Sequence, residues 1–297
     1  MQYIKEHSDL PVPQVFAYEV DEKNPVGAAF ILMELLPGSV AMDALGGYEV
    51  HRGVIAREYR QNFYRSVAKC HLTSLRLSKI GTIVRNREGG YECGPIPGIG
   101  GPFDSATAFF EARAESVKFR WDKETIIRMM QQGPIPAEEM VEIIENFPSQ
   151  IKAMASRLSL CDKGPFPLAH ADFLHSNIIV DEDNFNVTGV IDWEGACTVP
   201  CELIAFPDFL RAMPVPFDLP RNYDQHGQPL DTETQEVWRE REDYIDMVRS
   251  IEHSDSLLST SLSSKRIQAI AYTYGAYTSV GKFGFYDRVM KGLEIQL

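Results

Sequence analysis

Pro167-Leu-Ala-His170-Ala-Asp172-Phe-Leu-His175-Ser-Asn177-Ile-Ile-Val180, continued by Asp181-Glu-Asp-Asn-Phe185 and Asn186-Val-Thr-Gly-Val-Ile191-Asp192-Trp-Glu194, decides how this chain folds. Two apolar, β-branched runs flank a polar turn, so residues 178–180 and 187–191 are expected to pair as an antiparallel hairpin. Pairing sets the residues just outside its open end, Asn177 and Asp192, side by side. Solvation of a turn accounts for Asp181, Glu182 and Asp183. It does not account for Asp192, a charge placed straight after a buried-looking Val-Ile run.

That geometry has a chemical use. Magnesium takes hard oxygen ligands, usually one or two carboxylates completed by phosphate oxygens and water. The Asn177 amide oxygen and the Asp192 carboxylate make half of such a site, and a nucleotide supplies the rest. Asp172, on the loop entering the hairpin, is placed to accept a proton from an attacking hydroxyl. The order H-x-D-x-x-x-x-N, hairpin, Asp is the phosphoryl-transfer arrangement of kinases. His170 is read as a support for the backbone around Asp172, and His175 is given no role.

Working outward, residues 1–8 read as a helix end stopped by Pro11 and Pro13. Strands are expected over 14–20 and 28–36, the second buried and closed by Pro37-Gly38. An apolar stripe of Ile55, Tyr59, Phe63, Val67, Cys70 and Leu75 predicts a long helix over 54–77, with His71 packed beside it. Residues 80–104 are Gly/Pro-rich. Prolines in 94–102 remove the N–H donors a phosphate loop needs, so a structural loop is expected there. Helices are expected over 105–131 and 136–160. Residues 200–297 read as mostly helical, with a Pro-rich insertion over 214–231. The class is α+β with a large helical part.

Forty-two acids against 29 Lys and Arg, a net charge of −13, argue against nucleic acid or an anionic membrane as partner. The acid excess is compatible with a cationic substrate. Five cysteines without a C-x-x-C pair read as free thiols in a reducing compartment. No run approaches the roughly 18 apolar residues of a membrane span, and the start is no signal peptide, so a soluble, cytoplasmic protein is expected.

The blocks around His170, Asp172, Asn177 and Asp192 resemble the aminoglycoside phosphotransferase and choline kinase-like superfamily. Ile4-Lys-Glu-His-Ser-Asp-Leu-Pro-Val-Pro13, Phe30-Ile-Leu-Met-Glu-Leu-Leu-Pro-Gly38 and Gly94-Pro-Ile-Pro-Gly-Ile-Gly-Gly-Pro-Phe103 resemble its large fungal branch. The resemblance implies a two-lobed, protein-kinase-like fold, residues 1–36 being what is present of the small lobe and 37–297 the large one. It implies ATP and Mg2+ as cofactors and a small hydroxyl-bearing acceptor. Met33, Glu34, Leu35 and Leu36 would be the hinge, pairing with adenine through the Glu34 carbonyl and the Leu36 N–H. Ile179 and Ile191 would floor the ring. The family's glycine-rich hairpin, strand Lys and helix Glu have no counterpart here, since only Lys5 and Lys23 precede Met33. A truncated small lobe, an exposed apolar edge on its strands and an inactive isolated chain are therefore expected, with a non-catalytic kinase-like binding protein as the alternative.

Overall fold

The computed structural model describes every residue except 52–54, 72–74, 255 and 295–297. Helix α1 (Gln2–His7) stops before Pro11 and Pro13, and strands β1 (Val15–Glu19) and β2 (Phe30–Met33) then pair antiparallel, Tyr18 opposite Ile31. Asn24 closes their turn: its side-chain oxygen accepts from the Val26 and Gly27 N–H groups, and its amide donates to the Asp21 and Ala28 carbonyls. The expectation of a buried second strand is corrected. All four residues of β2 are exposed, from 38% at Phe30 to 56% at Leu32. The two strands form a sheet of their own among the described residues, so β-branched and aromatic side chains suit the pleat without finding a layer to pack on.

The decisive hairpin is present. Strands β8 (Ile178–Val180) and β9 (Val187–Val190) pair with Ile178 opposite Val190 and Ile179 opposite Gly189. Strand β3 (Ser39–Val40) adds to the β8 edge, giving a three-stranded antiparallel sheet. After α2 (Tyr48–His51), helix α3 (Arg57–His71) lays Phe63, Val67 and Ala68 into one core with Ile178 and Val180, all five fully buried. The predicted helix over 54–77 is shorter than expected. Val54 and residues 72–74 lie outside the described residues, and β4 (Arg76–Leu77) is a strand, drawn out of the helical pattern by pairing with Pro167 and Phe166.

Residues 80–104 are likewise more ordered than their composition implies. Strands β5 (Thr82–Arg85) and β6 (Tyr91–Gly94) form a hairpin whose turn is held by the Asn86 side chain. With β7 (Phe166–Ala169) and β10 (Cys197–Thr198) they complete a five-stranded sheet in the order β4-β7-β10-β5-β6. The 105–131 segment breaks into α4 (Ala106–Ser116) and α5 (Lys123–Met130), because Asp122 caps the second helix by accepting the Thr125 N–H at 2.8 Å.

The largest core lies among α4, α6 (Ala137–Leu158), α9 (Lys265–Gly275) and α10 (Tyr286–Glu294), centred on Phe110, Ile144, Ile151, Met154 and Tyr286. Helix α7 (Thr232–Ile251) packs along α3, where Arg60 pairs with Glu236 and Glu240, and α8 (Leu258–Ser263) bridges α7 to α9. Strands early and helices late make the α+β class that the sequence predicts. No helix among the described residues is long and apolar enough to cross a membrane.

Candidate active site

β7 leaves the five-stranded sheet at Ala169, and one residue later His170 begins the loop that ends at β8. The His170 ring makes two bonds. Nε2–H donates to the Ile191 carbonyl at 2.9 Å, and Nδ1 accepts the Asp172 N–H at 3.1 Å. Together these bonds require a neutral imidazole with its proton on Nε2. Burial lowers the pKa of His170, opposed by the Ile191 carbonyl and by the charges of Asp172 and Asp192. The Trp193 ring stands edge-on to it at 4.6 Å, its indole N–H held by the Val190 carbonyl at 3.0 Å. His170 thus clamps the loop carrying Asp172 to the strand end carrying Asp192.

A 3-10 turn over His175–Asn177 delivers the chain into β8. Asn177 is 7% exposed, and its amide donates to the Asp172 carbonyl at 2.8 Å and to the Asp172 carboxylate at 3.2 Å. That use of the NH2 group leaves the amide oxygen as an acceptor. Across the hairpin's open end the Ile191 N–H donates to the Asn177 carbonyl at 3.0 Å. The next residue, Asp192, is exposed and has φ of +59°. A non-glycine residue in left-handed backbone stores strain, tolerated best by Asp and Asn, and such residues cluster at functional sites. Asp172, Asn177 and Asp192 are therefore brought together, as the sequence predicts. Among the described residues neither Asp172 nor Asp192 has a cationic partner. His175 is buried between Phe63 and Phe209, a packing position.

The four residues proposed as a hinge divide. Glu34 is tied to the N-terminal segment: its N–H donates to the Gln14 carbonyl at 2.8 Å, and its carboxylate accepts the Gln14 N–H and pairs with Lys5 at 3.7 Å. Among the described residues the Glu34 carbonyl and Leu36 N–H enter no hydrogen bond. Leu36 lies against Gly189, where a Cβ would come within 2.4 Å of Leu36 Cδ1 and 3.4 Å of Ile179 Cβ. The missing side chain at Gly189 thus lets Leu36 and Ile179 share one apolar face. Ile191 is half-buried one position past β9, whereas Leu35 is 95% exposed and Met33 sits on the open β2. Two bonds secure the segment to the hairpin: Val190 N–H to the Pro11 carbonyl at 2.7 Å, and Thr188 Oγ1 to the Pro37 carbonyl at 2.6 Å.

Asp172 borders a cavity of about 680 Å³ that sequence reasoning did not find. Its far walls bring Asp208, Tyr272 and Lys282 from the helical part. Lys282 follows a π-helical turn over Ala276–Val280 and donates to the Tyr272 hydroxyl at 2.9 Å. No local pattern marks these residues, because their nearness to Asp172 exists only in the folded chain.

Solved structures similar to this chain include an aminoglycoside phosphotransferase, APH(3'')-Id, from Streptomyces rimosus, in complex with ADP and streptomycin. It shares 12% identity and a TM-score of 0.42, with 90% of this chain and 79% of that chain covered. A putative aminoglycoside phosphotransferase from Ralstonia eutropha shares 14% identity at a TM-score of 0.41, covering 97% of this chain and 79% of that one. An aminoglycoside-3'-phosphotransferase of type VIII shares 17% at 0.37, covering 98% and 77%. No curated protein matches the chain. The model of the APH family, described as the phosphotransferase enzyme family, matches residues 1–200, which include the His170 clamp, Asp172, Asn177 and Asp192, and the chain belongs to that family.

Proposed function

We propose that this phosphotransferase is ATP- and magnesium-dependent and moves the γ-phosphate to a hydroxyl of a small molecule. The observation that carries the reading is the bonded set of Asp172, Asn177 and the strand end bearing Asp192. Nucleotide would lie in the cleft between residues 1–36 and 37–297. The Glu34 carbonyl and Leu36 N–H would meet the adenine edge, with Met33 and Leu35 flanking them and Ile179 and Ile191 beneath. The donor set fits a magnesium ion completed by phosphate oxygens: an amide oxygen and a carboxylate are carried at the paired ends of one hairpin, where the Ile191 N–H meets the Asn177 carbonyl. Bound there, Mg2+ would neutralise charge on the phosphates.

Each protein group then has a definite task. Asp172 receives the acceptor's hydroxyl proton and orients the oxygen. The Asn177 amide holds the Asp172 carboxylate in place and offers its oxygen to the metal. The neutral His170 ring keeps the loop and the Asp192 strand end in register. The cavity beside Asp172 receives the acceptor.

A second reading, a nucleotide-binding protein without turnover, is favoured by the lysines. Lys5 is engaged by the Val12 carbonyl at 2.9 Å and by Glu34, and Lys23 lies in the exposed turn of the first hairpin. Neither is set to neutralise phosphate charge.

Two measurements separate the readings. Manganese, as a paramagnetic substitute for magnesium, should bind with ATP in a form seen by electron paramagnetic resonance and lost in Asp192→Ala. Phosphorus NMR over a panel of hydroxyl compounds should detect transfer that Asp172→Asn lowers by about 10²–10⁴-fold, the usual worth of a positioned base. Nucleotide binding without transfer to any acceptor selects the second reading, and no binding of nucleotide removes both.

A further inference from the structure

Behind the acceptor cavity lies another, of about 670 Å³, formed between α7, the start of α9 and the loop after β10. Its charge is unlike that of the chain as a whole. In a protein of net charge −13, four cations, Arg211, Arg239, Arg241 and Lys265, line it against one carboxylate, Glu242.

These cations are poorly neutralised by the protein. Arg211 has Asp208 at 3.3 Å, but among the described residues Arg239, Arg241 and Lys265 have no acidic partner. Arg241 is partly buried and donates to two backbone carbonyls, those of Leu210 and Ala212, while its guanidinium stacks 4.4 Å from the Phe206 ring centre. Burial, and then the positive charge of Arg211, lower its pKa to about 10. The exposed Arg211, though paired with Asp208, adds positive charge near the half-buried Arg241, a cost that a bound anion would relieve. One uncharged donor has no partner at all among the described residues. The Trp238 indole N–H is buried without a hydrogen bond among the described residues, under the Lys265 ammonium at 5.4 Å from the ring centre. Met213, Pro216 and Tyr272 supply apolar and aromatic surface beside it.

An unpaired donor, unneutralised cations and flat apolar walls in a space of this size describe one class of ligand. We infer that this second cavity binds a small aromatic anion, whose charged group meets Trp238 N–H, Arg239, Arg241 and Lys265. The site is separate from Asp172 but not remote from it. Arg211 and Tyr272 line both cavities, and Tyr272 takes the Lys282 hydrogen bond on the acceptor side.

The test needs neither nucleotide nor turnover, so it stands whichever reading of the phosphotransfer site holds. The full chain, labelled with 15N at its three tryptophan indoles, is titrated with 1-naphthoate and, separately, with 1-naphthylmethylamine, the same ring carrying a cation. Trp238→Phe identifies the relevant resonance and removes the N–H donor together with the larger ring that carries it. Naphthoate should move that resonance and the amine should not. The variant Arg239→Gln/Lys265→Gln changes two exposed side chains, and it should weaken naphthoate about tenfold or more while keeping the wild-type melting temperature. Trp238→Phe should weaken it as well, an independent check if the double variant folds poorly. Equal binding of the amine, a Trp238 resonance indifferent to naphthoate, or unchanged affinity in both variants would overturn the site.

Discussion

Two antiparallel hairpins of similar length and similar apolar content meet opposite fates in this protein. In β1–β2, Phe30, Ile31, Leu32 and Met33 are all exposed, and Phe16 and Tyr18 across from them are 64% and 58% exposed. In β8–β9, Ile178, Val180 and Val190 are fully buried, the first two in one core with α3. The difference teaches that apolar, β-branched sequence selects a strand but does not by itself bury one. Burial needs a second layer, and only the later hairpin has α3 over its face. The buried hairpin is also the one whose open end carries Asn177 and Asp192, and a packed base is what holds such side chains in place.

Several measurements sharpen or break that contrast. Ile178→Ala should cost about 2–5 kcal/mol in urea unfolding, the range for a large-to-small change in a packed core. A loss below about 1 kcal/mol would mean the hairpin is no better packed than β1–β2. Next is a pH response confined to the buried side. His71, at the end of α3, contacts the Tyr244 hydroxyl at 3.0 Å, and burial lowers its pKa from 6.5 to about 4. Below pH 6.5 the unfolded chain binds the proton and the folded chain does not. Stability is therefore full above that pH and falls as pH drops toward 4, by up to about 3 kcal/mol. Unfolding at pH 7 and pH 4.5 checks this, and His71→Gln should flatten the slope.

Two glycines give a smaller, paired effect. Gly38, at φ of +110°, has no room for a side chain, a Cβ there falling 2.2 Å from the Val180 carbonyl oxygen. Gly27, in the first hairpin's turn at φ of +76°, has nothing within 4 Å. Gly38→Ala should cost about 2–3 kcal/mol and Gly27→Ala only about 1, strain alone. Equal costs would show that the β3–β8 contact is soft. Smallest of all, Ile31→Lys should change stability by less than about 0.5 kcal/mol, as a surface substitution does, while reducing self-association measured by light scattering. A large destabilisation would place a packing layer over β2.

The candidate site was legible where its geometry is local. Asn177, Asp192 and the strands between them lie within sixteen successive residues, and a polar turn between β-branched runs has one good solution. The same rule failed for β5 and β6, which are four residues each and set among glycines and prolines, and of which β5 pairs with β10 some hundred residues away. It failed again at Arg76 and Leu77, helical by periodicity and extended by pairing with β7. The His170 clamp was legible as a support for the loop, but its partner, the Ile191 carbonyl, is a product of the fold.

From the residues alone follow the β8–β9 hairpin, the order of the acids at its ends and the α+β class, because the hairpin rests on chain-local sterics and hydrogen bonding and the class on the succession of such local patterns. Tertiary structure decided which strands are buried, where helix patterns yield to sheet, and which distant side chains wall the cavities beside Asp172 and Trp238. Such walls gather residues from α7, α9 and the π-helical turn by hydrophobic collapse. That force is non-directional, so it leaves no spacing in the sequence from which their meeting could be read.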